Sequence, residues 1–143
     1  MDEKHAWTYQ GKLVTDEMTE PYTGFVYLIT NTVNGKKYIG QKLLRSKRKK
    51  VLKGKPKRVL TESDWKKYFG SSEAVKTDVR LMGKDKFTRE IIRFCKSKSE
   101  ENYWELYEIM MNHALLKPNE YYNSYLGGSR LNRSHILNMM EDK

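Results

Sequence analysis

The stretch GFVYLITNTVNGKKYIGQK, residues 24–42, limits the fold more than any other part of the chain. Residues 24–31 are dense in aromatic and β-branched side chains, which fit a pleated, buried surface and read as a strand. Asn34-Gly35 follows, a pair that tolerates positive φ at both positions of a tight turn, and KKYIGQK then reads as the returning strand. Strand residues two apart share a face. With a four-residue loop from Thr32 to Gly35, Ile29 falls opposite Tyr38 and Tyr27 opposite Gly40. Tyr27 and Tyr38 become diagonal neighbours on one face, and Gly40 leaves room there beside Tyr27. Val26, Leu28 and Ile39 fall on the other face, which reads as the core side.

The remaining elements follow from caps and breakers. Residues 1–21 read as a peripheral arm in which Trp7 and Tyr9 could dock. DWKKYFG reads as a short helix ending at Gly70, and Ser71-Ser72 caps a second helix, EAVKTDVRLMG, stopped by Gly83. KFTREIIRFC, residues 86–95, reads as a third strand, and residues 100–116 as the longest helix, ended by Pro118. Ser134 starts a short helix over 134–141. The order predicts an α+β domain with a small three-stranded, mostly antiparallel sheet flanked by helices.

Charge is distributed unevenly. Residues 1–41 carry 4 basic and 5 acidic side chains, residues 42–58 carry 10 basic and none acidic, and residues 59–143 carry 14 and 13. The whole net charge of +10 therefore belongs to KLLRSKRKKVLKGKPKR. Gly54 and Pro56 make a loop the expected conformation there. Ten like charges repel one another and call for a polyanion, nucleic acid before anionic membrane. Lys42, Arg45, Lys47, Lys49, Lys50, Lys53, Lys55, Lys57 and Arg58 are the candidate phosphate contacts; the other reading is a solvated charged loop. A single cysteine, Cys95, excludes an internal disulfide and any metal site with two cysteine ligands. With no apolar run of transmembrane length and no secretory leader at the N-terminus, a reducing, cytoplasmic setting is expected and no membrane partner.

The hairpin resembles the signature of the GIY-YIG nuclease superfamily. Phe25-Val26-Tyr27 stands in place of the first triplet, and Tyr38-Ile39-Gly40 matches the second outright. The resemblance covers residues 22–126, with 1–21 as an N-terminal arm, 42–58 as a basic insertion and 127–143 as a C-terminal tail. It implies catalytic roles for Tyr27 and Tyr38. It also implies an arginine about eight positions past the glycine, which falls on Arg48 with Arg45 close by. It further implies a helical glutamate that binds metal: Glu105, with Ile109 one turn on, is preferred and Glu108 is the runner-up. The terminal asparagine of the family core corresponds to Asn123 after Tyr122, and GSS at 70–72 resembles its middle segment.

The implied activity is a divalent-metal-dependent endonuclease acting on double-stranded DNA and leaving 5′-phosphate and 3′-hydroxyl ends. One carboxylate holding a hard cation, with the other positions left to water and substrate oxygens, suits Mg²⁺ (or Mn²⁺). Tyr27 would serve as general base or water-positioner if nearby cations, Lys42 first, lower its pKa towards neutrality. Arg48 would meet phosphoryl charge, and Asn123 would orient the tyrosine or the phosphate. The implied origin is a phage or mobile element, of homing type, with the bacterial host cytoplasm as its setting. A double-strand break calls for a homodimer or higher oligomer on DNA, or for sequential nicks. The alternative is a non-catalytic basic DNA- or RNA-binding module on the same fold. His5, His113 and His135 do not sit in the strand–metal–helix setting of a histidine-based metal nuclease.

Overall fold

The computed structural model describes residues 6–52 and 54–124; side chains at 47–52 and 56–59 lie outside what it describes. The strands are β1 (Trp7–Tyr9), β2 (Lys12–Leu13), β3 (Gly24–Asn31), β4 (Lys37–Leu43), β5 (Arg45–Leu52), β6 (Lys55–Glu62) and β7 (Phe87–Cys95). The α-helices are α1 (Asp16–Thr19), α2 (Glu73–Met82) and α3 (Lys98–Met111). The helix expected over 134–141 and the rest of the tail lie outside the described residues. No helix among the described residues is long and apolar enough to cross a membrane.

The α+β class holds, but the sheet is larger than expected. It has five strands in the order β2-β1-β7-β3-β4, and it is mixed because β1 runs parallel to β7. The expected three strands form its β7-β3-β4 half, antiparallel throughout. The other two come from the stretch read as a peripheral arm: Gln10 and Gly11, both at positive φ, turn β1 back into β2. The basic stretch is also not a loop. β5 and β6 pair over eight residues each as a separate two-stranded sheet. The 64–70 segment contracts to a 3₁₀ turn at Trp65–Lys67.

Both faces of β3 are buried, which corrects the assignment of a single core side. Phe25, Tyr27 and Ile29 pack with Trp7, Trp65, Phe69, Val75 and Phe87 on one face. Val26 and Ile39 pack with Cys95, Ile109, Ala114 and Leu115 on the other. A strand covered on both faces reads as a near-continuous apolar run, as GFVYLITN does. α3 covers the second face. Arg89 of β7 fixes the segment over the first: its guanidinium donates to the Lys66 and Tyr68 carbonyls at 3.1 and 2.8 Å and lies against Trp7 and Phe69. Burial of that guanidinium draws its pKa down to about 10.

Candidate active site

The β3–β4 register places Tyr27 opposite Gly40 and Ile29 opposite Tyr38, as the loop length predicts. The β3–β7 ladder shifts between Val26 and Tyr27, so a bulge sits at the tyrosine. Tyr27 is fully buried, ringed by Trp7 at 5.5 Å, Tyr68 at 5.9 Å and Tyr38 at 6.1 Å between ring centroids. A β-carbon at Gly40 would overlap the Tyr27 hydroxyl and the ring carbon that bears it. The space that Gly40 leaves is therefore filled by the end of Tyr27 itself.

No described residue meets hydrogen-bond geometry with the sealed Tyr27 hydroxyl. Burial holds its pKa well above 10, reinforced by the neighbouring Tyr68 and Tyr38 and by the charge of Glu105. This is the reverse of the lowering expected from Lys42. That ammonium is paired with Asp64 at 2.5 Å and lies 4.2 Å from the Tyr68 ring centroid.

Tyr38 is half-exposed, and its hydroxyl hydrogen-bonds the Ser71 hydroxyl at 3.1 Å. At Gly70, φ +93°, a β-carbon would come into van der Waals contact with both tyrosines. The GSS segment thus forms one wall of the site, and Ser71 and Tyr68 join the residues named from sequence. Tyr68 carries no sequence signal, whereas Ser71 belongs to a segment the resemblance had already marked.

Glu105 projects from α3 beside the return strand. One carboxylate oxygen accepts from Gln41 Nε2 at 3.1 Å. Gln41 is oriented in turn by Asn102 at 2.9 Å and Lys98 at 2.7 Å. Burial raises the Glu105 pKa, while the Gln41 bond and the Lys98 charge oppose the rise. The next carboxylate up the helix, Glu101, is wholly buried with neither oxygen hydrogen-bonded among the described residues, and one sealed oxygen of Glu108 likewise lacks a hydrogen bond among them. Among the described residues no three acidic, histidine or cysteine side chains converge. Glu105 is the carboxylate of this set that could hold a hard cation, the other positions falling to water and substrate oxygens.

Asn123 is buried and committed to backbone. Its Oδ1 accepts from the Ile39 amide at 3.0 Å, and its Nδ2 donates to the Ile39 carbonyl at 2.8 Å. Neither described bond reaches a tyrosine, so its contact with the signature runs through the strand rather than through the phenols.

Lys42 lies on β4, and the other described basic candidates lie along the β5–β6 hairpin. Arg45 donates to the Tyr22 carbonyl at 2.8 Å, and Lys55 is exposed. Lys47, Arg48, Lys49 and Lys50 occupy β5, and Lys57 and Arg58 occupy β6; their side chains, and Lys53 altogether, are outside the described set. Arg48 pairs across the ladder with Val59, in the separate sheet rather than on the strand of the tyrosines.

Compared with known proteins, residues 7–126 match the family described as "Putative endonuclease segE, GIY-YIG domain". The protein named "Putative endonuclease segE" of Enterobacteria phage T4 is 31% identical over 104 residues, 73% of this chain and 42% of the relative. The chain thus spans about two-fifths of the length of that relative. No solved structure matches.

Proposed function

The chain belongs to the GIY-YIG endonuclease family, in the group described by segE, and from that premise we propose that it is a divalent-metal-dependent DNA endonuclease. The observation that carries this reading is the seat of Tyr27: its hydroxyl end lies over Gly40 beside Tyr38, while Glu105 meets Gln41 of the same strand from α3, which covers the other face. The metal ion, when bound, would supply Lewis-acid stabilisation to the scissile phosphate and the leaving oxygen. Glu105 is the proposed ligand, held in orientation by Gln41.

Tyr27 acts in this reading as a neutral group. Burial keeps the proton on Tyr27 and seals its hydroxyl, so Tyr27 neither abstracts a proton as an anion nor meets water directly; it sets the ring of Tyr38. Tyr38, half-exposed and steadied by Ser71, offers the hydroxyl that positions the attacking water or a phosphoryl oxygen. Arg48 or Arg45 meets phosphoryl charge, and Asn123 fixes the YIG strand through Ile39. Double-stranded DNA is the proposed substrate. The phage relative favours a phage or mobile-element origin with action in the host cytoplasm, and homodimers on DNA would turn nicks into breaks.

The test is incubation with supercoiled plasmid and Mg²⁺. The parent chain should give nicked and linear forms, and EDTA should stop it. Glu105→Gln should cut slower by on the order of 10²-fold or more while binding the plasmid as before. A parent chain that binds DNA and leaves it intact with either Mg²⁺ or Mn²⁺ would identify the non-catalytic module instead.

A further inference from the structure

The β5–β6 hairpin carries its charge in an arrangement that a surface-lying loop does not need. The register sets Lys49 opposite Arg58 and Lys50 opposite Lys57. Like charges directly opposite weaken a ladder, so two consecutive pairs of this kind oppose the conformation in which the chain holds them. Successive strand residues alternate between faces. One face therefore holds Arg45, Lys47, Lys49 and Arg58, and the other holds Arg48, Lys50, Lys55 and Lys57: four cations on each. The single acid of the ladder, Glu62, lies at the base, where it is engaged by Trp65 and Lys66.

A segment lying along the outside of a duplex meets phosphates on one side and needs one cationic face. Two equally cationic faces suit a slot with a phosphate wall on each side. Eight residues per strand give the ribbon a reach of roughly 26 Å. A sheet with its side chains is about 10 Å thick, which fits the major groove of about 12 Å and exceeds the minor groove of about 6 Å. We propose that β5–β6 is a finger that enters the major groove of duplex DNA, each of its faces opposite one phosphate backbone. This rests on the reading that the basic segment meets DNA, and adds the groove and the mode of entry. Near the tip the ladder holds Val51, Leu52 and Pro56 beside Lys55, so apolar contact to thymine methyls and one cationic donor come from its end.

The experiment uses the full chain and a short mixed-sequence DNA duplex in EDTA. Two triple variants each strip one face, Arg48 being kept in both: Lys47→Ser/Lys49→Ser/Arg58→Ser and Lys50→Ser/Lys55→Ser/Lys57→Ser. Each should flatten the log–log salt slope of binding by roughly 2–3, because each phosphate contact contributes about 0.9. Methyl green, which occupies the major groove, should displace the parent chain, and netropsin, which occupies the minor groove, should not. An RNA duplex should bind more weakly at equal salt, its major groove being too narrow for a ribbon. An effect from only one face, displacement by netropsin but not methyl green, or tighter binding to RNA would overturn the proposal. Plasmid cleavage with Mg²⁺ is scored in parallel. Cleavage with unchanged slopes in both variants would remove the finger and leave the nuclease; two flattened slopes without cleavage would do the reverse.

Discussion

Glu101 is a carboxyl with 0% exposure, set against Gly24, where any β-carbon would strike it. Both oxygens lack a hydrogen-bond partner among the described residues, and the Lys98 ammonium is 3.8 Å away. Burial lifts its pKa from 4.5 to about 7, with the Lys98 charge opposing and the Glu105 charge adding. Between those values the folded chain keeps a proton that the unfolded chain has released. Stability from this group is therefore full below pH 4.5 and falls as pH rises to about 7, by about 2–3 kcal/mol. Glu101→Gln should leave the melting temperature at pH 4.5 little changed relative to its own value at pH 8, where the parent chain loses ground. Parallel pH profiles of the two proteins would remove Glu101 as the cause. The sequence places Glu101 only among several acids near a helix start. Its burial depends on Gly24, a strand residue with no local link to α3. Tyr27 was more legible, since strand parity and loop length give its register with Gly40. Its sealed environment was not, because Trp7 and Tyr68 arrive from distant segments.

The outer edge of β4 is closed by residues 120–123, which follow a 3₁₀ turn at Ala114–Leu116. Lys37 donates to the Glu120 carbonyl at 2.9 Å and accepts from Tyr122 at 2.7 Å, and Asn123 continues the line with its side-chain amide at Ile39. An exposed sheet edge invites pairing with other chains, and this segment covers it at the YIG triplet. Asn123→Ala would strand a buried donor and a buried acceptor of Ile39, at a cost of roughly 2–4 kcal/mol. Amide exchange at Ile39 should accelerate while Leu28, inside the sheet, stays protected. Asn123→Asp keeps the acceptor and loses the donor, so it should fall between; an Ile39 amide as slow in Asn123→Ala as in the parent chain would show that the clamp is not needed. At this scale the sequence was informative where period and caps are strong: GFVYLITN, the Ser72-capped α2 and β7 stand where they were expected. It misled at β5–β6, where lysines replace the apolar–polar alternation and Gly54 and Pro56 suggest a break. Gly54 lies in the hairpin's turn, and Pro56 takes an early place in β6 of a two-stranded ribbon, a position proline tolerates.

Trp7 joins the parts of the molecule that the sequence keeps farthest apart. It packs edge-on against Phe25 at 5.0 Å and Tyr27 at 5.5 Å, and its indole donates to the Trp65 carbonyl at 2.7 Å. The Arg89 guanidinium lies 4.8 Å from the ring centroid. One side chain from β1 thus supports β3, the 65–69 segment and the hidden side of the candidate site. Parallel pairing of Trp7–Tyr9 with Arg89–Ile91 has no local signature, and strands of three and two residues are too short to show a period. That is why residues 1–21 read as an arm while carrying part of the core. Trp7→Ala removes a large buried ring from a packed site, and the expected loss is roughly 3–5 kcal/mol, read as a lower urea midpoint with an unchanged slope. It also opens space beside Tyr27, so plasmid cleavage per folded molecule should fall. Trp7→Phe keeps an aromatic ring at the edge-on contacts, gives up the bond to Trp65 and part of the buried ring, and should retain more of both than Trp7→Ala. A chain beginning at Val14 tests the same support without a cavity: it exposes Phe25 and Ile91 and leaves the β7 edge unpaired, so it should unfold earlier than the full chain. An equal urea midpoint for the two would confine the core to the residues after β2 and return the N-terminal stretch to the role of an arm.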